Sequence, residues 1–111
     1  MNKKYCFVDP HFLLEFAGSC SKQSREFMFF IFKNVNPYTN MLIGTYKDMS
    51  QSCGISRQLV SRRIQQLNKM DLLRNAGSSM WMVNPNAFFS GEEEDFNQMV
   101  ADYENLPMYK D

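Results

Sequence analysis

Between Arg57 and Gln65, five side chains fall on one side of a helical period: Arg57, Gln58, Ser61, Arg62 and Gln65. All five can hydrogen-bond and none is acidic. No carboxylate occurs anywhere between Cys53 and Met70. A helix face that is merely solvated mixes Glu with Lys, because opposite charges at i,i+4 support one another. This face carries base-reading groups instead. Arg matches the O6/N7 edge of guanine, Gln the N6/N7 edge of adenine, and Ser reaches a base or a phosphate. Lys47, Arg63 and Lys69 lie close enough in sequence to neutralise phosphates alongside. The chemistry implied is recognition of double-stranded DNA in the major groove.

Other chemistries find little support. His11 is the single histidine and cannot build a triad or a metal site unaided. Cys6, Cys20 and Cys53 are odd in number and scattered, without a Cys-x-x-Cys pair, so they read as reduced, mostly buried residues rather than zinc ligands or disulfides. No Gly-rich phosphate loop or Gly-x-Ser-x-Gly elbow is present. Glu92-Glu93-Glu94-Asp95 reads as the start of a helix, not as paired catalytic carboxylates. No metal, cofactor or enzymatic activity is expected.

The polar face needs a scaffold, and local signals supply one. Thr45, with Asp48 three residues on, forms an acidic variant of the capping box and opens a short helix anchored by Met49. Gly54 ends that helix by supplying a left-handed residue for a tight turn. Ile55 follows as a buried plug, and Ser56 caps the next helix, Arg57 to Met70. Ile55 and Val60 make a hydrophobic staple across this cap. Val60, Ile64 and Leu67, with Leu59 and Met70 beside them, form the inward face. Helix, glycine turn and second helix together are a helix-turn-helix.

After Asp71 the period changes to alternation. Leu72-Leu73-Arg74-Asn75 and Ser79-Met80-Trp81-Met82-Val83 flank Ala76-Gly77-Ser78, which predicts a short hairpin, the wing. Arg74 is its one basic residue and is expected to add a modest phosphate contact. Trp81 is expected in the core or in strand pairing, and Asn84-Pro85 closes the hairpin. Upstream, Asp9-Pro10 opens a helix to about Ala17, Ser21–Lys33 is the central core helix, and Met41 to Gly44 is a brief strand. Beyond Gly91 an amphipathic helix carries Phe96, Met99, Val100 and Tyr103 on one side. That side buries either on this chain's own first helices or on the same helix of a second subunit.

The 111 residues, 44% hydrophobic and 14% aromatic, suffice for one packed core. The fold class expected is mainly α with a small β-hairpin wing (α+β), a winged helix-turn-helix over 1–91. An acidic amphipathic helix follows over 92–111. Net charge is zero, yet it is unevenly spread. Residues 1–90 hold 11 Lys and Arg against 5 Asp and Glu, and residues 91–111 hold 1 against 7. A basic body with an acidic appendage suits a nucleic-acid partner. No apolar run nears the roughly 18 residues of a bilayer span, and the N-terminus lacks a secretory h-region, so a cytoplasmic location is the default.

Thr45-Tyr46-Lys47-Asp48-Met49, Gly54-Ile55-Ser56, Val60-Ser61-Arg62, Leu67 and Leu72-Leu73 resemble the winged-helix consensus of small bacterial regulators. Met80-Trp81-Met82-Val83-Asn84-Pro85, then Phe88-Phe89 and Gly91, resemble plasmid replication proteins of the RepL type found in Firmicutes. The resemblance runs from about Ser24 to Gly91. It implies an initiator or replication-control protein that binds a plasmid or phage origin, recruits host replication proteins and performs no chemistry itself. It places base reading on Arg57, Gln58, Ser61 and Arg62, and a structural role on Asn84-Pro85. Two alternatives remain open from the residues. One is a transcriptional repressor or copy-control regulator of a mobile element. The other is a winged helix that docks proteins through its aromatic surface and acidic tail.

Overall fold

The computed structural model describes residues 4–8, 10 and 22–109. The helix expected from Pro10 to about Ala17 lies, beyond Pro10, outside them. In chain order the elements are β1 (Lys4–Val8), α1 (Lys22–Asn34), β2 (Met41–Ile43), α2 (Tyr46–Cys53), α3 (Arg57–Lys69), β3 (Leu73–Gly77), β4 (Met80–Val83) and β5 (Phe88–Glu92). A single 3-10 turn (Glu93–Asp95) then leads into α4 (Phe96–Glu104). This is the expected α+β winged-helix arrangement. The hairpin β3–β4 is extended by β2 into an antiparallel sheet of order β2-β4-β3, and β1 pairs antiparallel with β5.

Alternation along the strands gives the three-stranded sheet two unlike faces. Leu42, Leu73, Trp81 and Val83 point into the main core, where they meet Phe27 and Ile31 of α1, Met49 of α2 and Val60, Ile64 and Leu67 of α3. Burying the last three holds α3 with its opposite face outward, each large apolar side chain contributing about 1.5–3 kcal/mol. Trp81 is thus a core and pairing residue, opposite Leu42 and Asn75.

The sheet's other face is covered by α4. Met82 forms a second buried cluster with Phe89, Met99 and Tyr103, and Met41, Ala76 and Phe96 pack on it. Phe96 meets the edge of Phe89 at 5.2 Å between ring centroids. The amphipathic helix therefore buries Met99 and Tyr103 on the back of its own chain's wing sheet rather than on the first helices.

The β1–β5 pair is held close to the α1–β2 connection. Phe88 of β5 stacks on Phe32 of α1 at 4.7 Å. A Cβ on Gly91 would stand 2.6 Å from the carbonyl oxygen of Pro37, so only glycine permits this approach. Asn40, fully buried with φ 58°, donates from Nδ2 to the carbonyls of Val83 (2.7 Å) and Phe88 (3.1 Å), pinning the end of β4 to the start of β5. Asn84 makes the corner between them. Its Oδ1 accepts from the Asn86 N–H, and its carbonyl accepts from Ala87 and Phe88.

Candidate nucleic-acid interface

The turn between α2 and α3 is built as its residues dictate. Thr45 Oγ1 accepts from the Asp48 N–H at 3.0 Å, and Asp48 Oδ2 accepts from the Thr45 N–H at 3.2 Å. Both halves of the capping box are present. The Thr45 N–H bond holds the Asp48 carboxyl below its ordinary range, so the one acid of α2 is spent on the cap. Gly54 closes the helix in the left-handed region (φ 70°, ψ 29°), its N–H donating to the Ser50 carbonyl. The Ser50 hydroxyl donates across the turn to the Ile55 carbonyl. Ile55 and Val60 both lie in the core, as the staple requires.

Ser56 caps α3 by accepting from the Leu59 N–H at 3.1 Å. A hydroxyl that accepts still has its proton to donate, so Thr45 and Ser56, both exposed, can each offer an O–H to a phosphate while capping. The first turn of α3 contains no acid, and Arg57 stands at its first position. Stability alone would place Asp or Glu there, against the positive end of the helix dipole. Leaving that end positive and adding a guanidinium makes it a place for an external anion.

Along α3, Arg57, Gln58, Arg62, Gln65 and Lys69 are exposed and Ser61 is half-buried on the same side. From Arg57 to Gln65 this surface runs about 12 Å along the helix axis, comparable with the width of the DNA major groove. Among the described residues no ion pair engages Arg57, Arg62, Lys69 or the exposed Lys47 of α2, and the one ion pair found lies elsewhere. Arg63 sits on the flank, half-buried, donating to Gln66 Oε1 at 3.2 Å. Its Nε is buried without a partner among the described residues. It can offer the rest of its guanidinium to a phosphate beside the helix but not to a base in front of it.

Arg74 requires a correction. The alternation of β3 sends it to the sheet's back face, under α4, where it is 7% exposed. Its Nε and Nη2 donate to the Asp71 carboxylate at 2.9 and 3.1 Å, and its Nη1 donates to the carbonyls of Tyr103, Glu104 and Leu106 at 3.1–3.3 Å. The guanidinium also lies 4.6 Å from the centre of the Tyr103 ring. A guanidinium so buried and so engaged is not offered to DNA, and the wing therefore presents no cation. The sequence could not show this, because an Arg on a two-stranded wing is normally wet.

Two polar residues that sequence reasoning passed over shape the end of α3. Asn68 turns inward and donates to the Leu73 carbonyl at 2.8 Å, joining helix to strand. Asp71 adopts φ 58°, its carboxyl held below the ordinary range chiefly by Arg74. Among the described residues no three His, Cys, Asp or Glu are gathered to hold a metal ion, and no helix is long and apolar enough to cross a membrane.

The model of one protein family, described as Firmicute plasmid replication protein (RepL), matches residues 13–110. No curated protein and no solved structure matches the chain.

Proposed function

The chain belongs to the Firmicute plasmid replication protein (RepL) family, and from that premise we propose that it binds duplex DNA sequence-specifically through the outer face of α3. The role served is initiation of plasmid or phage replication, or its control. One observation carries the reading. The second helix of a capped helix-turn-helix presents Arg57, Gln58, Ser61, Arg62 and Gln65 with no carboxylate among them and, among the described residues, no ion pair occupying the cations.

In this reading the α3 face enters the major groove, and Arg62 and Gln58 contact base edges. Arg57, Lys47, Lys69 and the cap hydroxyls of Thr45 and Ser56 contact phosphates at its rim. The protein works in the cytoplasm without a cofactor, and by binding rather than catalysis: it marks a site and recruits host replication proteins to it. Paired half-sites would call for a homodimer. Because α4 buries its apolar side within its own chain, such a dimer would form through another surface. Repression of a promoter on the same element uses the same DNA-reading face and differs only in where the site lies.

Fluorescence anisotropy with duplexes from beside the protein's own coding sequence, against a scrambled duplex over a salt series, tests the proposal. Specific binding appears as tighter association with the native duplex and a log–log salt slope of a few units. Equal, weak binding to both duplexes, or none near 50 mM salt, would sink it.

A second reading has its own support. Phe29, Tyr38 and Ile43 are 59%, 68% and 66% exposed. Phe29 and Ile43 also line neighbouring clefts between α1, β2 and α2 that share Phe30, Asn34 and Ser52. Together with a wing that presents no cation, this favours a protein partner on the side of α1. A winged helix can hold both.

A further inference from the structure

The residue that ends α3 is unusual for its place. Met70 is the C-cap; the Asp71 N–H donates to the Asn68 carbonyl and the Leu72 N–H to the Leu67 carbonyl. These are the two bonds of a Schellman motif, whose left-handed position normally belongs to glycine. Here an aspartate occupies it at φ 58°. A β-carbon in that conformation carries a cost of order 1 kcal/mol, and persists where the surroundings over-determine it.

The surroundings do so from three directions. Arg74 of β3 grips the Asp71 carboxylate with two nitrogens. The Tyr103 hydroxyl of α4 lies 2.8 Å from Oδ1 and 3.0 Å from the Asp71 carbonyl oxygen, both acceptors. Asn84, at the corner after the wing, donates from Nδ2 to the same carbonyl at 3.0 Å. Arg74 in turn takes up the carbonyls of Tyr103 and Glu104 at the end of α4 and of Leu106 just beyond it. One residue thus joins the C-terminus of the DNA-facing helix to the wing and to the acidic C-terminal helix. A glycine would stop α3 with less strain and could make none of the carboxylate contacts.

From this geometry we infer that Asp71 and Tyr103 are positioning residues for DNA binding: α4, which lies behind the wing sheet, sets the angle between α3 and the wing through them. The inference rests on the DNA-binding reading above and deepens it. It gives α4, which follows directly on the acidic turn Glu93–Asp95, a way to control affinity from the side away from the groove. Whatever draws α4 off the sheet would loosen the end of α3 and the wing together.

The test is a double-mutant cycle of Asp71→Gly and Tyr103→Phe, with Asp71→Asn as the conservative variant. Both the anisotropy salt series and the emission of Trp81 are read. Trp81, the one tryptophan, lies in β4 and reports the wing without DNA. Asp71→Gly removes the backbone strain, so it should fold. Asn keeps the Oδ1 acceptor and tolerates the left-handed conformation.

Each of Asp71→Gly and Tyr103→Phe should weaken binding roughly three- to tenfold and lower the salt slope by about one unit, one phosphate contact. Trp81 should become easier to quench with iodide in both. The double variant should be no worse than either alone, and Asp71→Asn should recover most of the affinity. Wild-type affinity, slope and quenching in Asp71→Gly would overturn the inference, as would additive losses with an unchanged slope. A wild-type chain that ignores DNA while the Trp81 changes persist would refute the DNA-binding reading and leave the coupling of α4 to the wing standing.

Discussion

Replacing Arg74 by lysine keeps the charge and removes the fork, and so separates a buried linchpin from a surface phosphate contact. Arg74 makes five hydrogen bonds through three nitrogens. Lysine has one nitrogen and cannot span both the Asp71 carboxylate and the carbonyls of Tyr103, Glu104 and Leu106. At least two of the five are lost. Net worth is about 1 kcal/mol per ordinary hydrogen bond and somewhat more for charged ones. The Asp71 side chain is 43% exposed and can recover water, which trims its share. A loss of about 2 kcal/mol follows, and about 3 kcal/mol or more for Arg74→Ala, which also gives up packing on Tyr103. In a domain of this size, 2 kcal/mol lowers Tm by about 10 °C. Urea titration followed by far-UV circular dichroism measures it. Arg74→Lys within about 0.5 kcal/mol of wild type, the usual range of a surface substitution, would mean that the guanidinium faces solvent after all.

Arg62→Ala should weaken binding by about 1–3 kcal/mol and more on the native duplex than on random DNA; equal loss on both in the anisotropy assay would make Arg62 a phosphate contact. Lys69→Ala should weaken both alike and reduce the salt slope by about one unit, and a sequence-dependent loss there would contradict the assignment of faces. Gly54→Ala should cost about 1 kcal/mol in thermal melts through its positive φ alone, since nothing lies within 4 Å of the added Cβ; a neutral result would refute the left-handed turn. The Tyr103 hydroxyl is pushed above its ordinary value of 10.0, first by burial and then by the Asp71 carboxylate. Its folded state holds the proton more tightly than the unfolded chain does. Stability from this group is therefore complete below about pH 10 and is lost as pH rises further. Tyr103→Phe should flatten that alkaline fall, and an unchanged slope of urea midpoint against pH would refute the buried hydroxyl.

Local physics explains which parts were legible in the sequence. The capping box at Thr45 and Asp48, the stop at Gly54, the cap at Ser56 and the two faces of α3 each depend on residues within a turn of one another, and all formed as read. The β1–β5 pair joins residues at opposite ends of the chain, Lys4 with Glu92, and no local pattern reports such a partner. The place of α4 was equally hidden. Its apolar side announced burial without naming the surface, and the back of the wing sheet became that surface only once β2 had joined the hairpin. Arg74 was misassigned for the same reason: without α4 above it, β3 would leave it in water. Asp71 gave no signal, since an aspartate after a helix is common and its left-handed φ is a property of the fold.

If α3 is the face that meets DNA, amide chemical-shift mapping during titration with the native duplex will locate the contact on it. Perturbations should concentrate at Thr45 to Lys47 and from Ser56 to Lys69, with only small effects at Phe29, Tyr38 and Ile43. Perturbations centred on Phe29, Tyr38 and Ile43, with Arg57, Gln58, Ser61 and Arg62 unmoved, would contradict it.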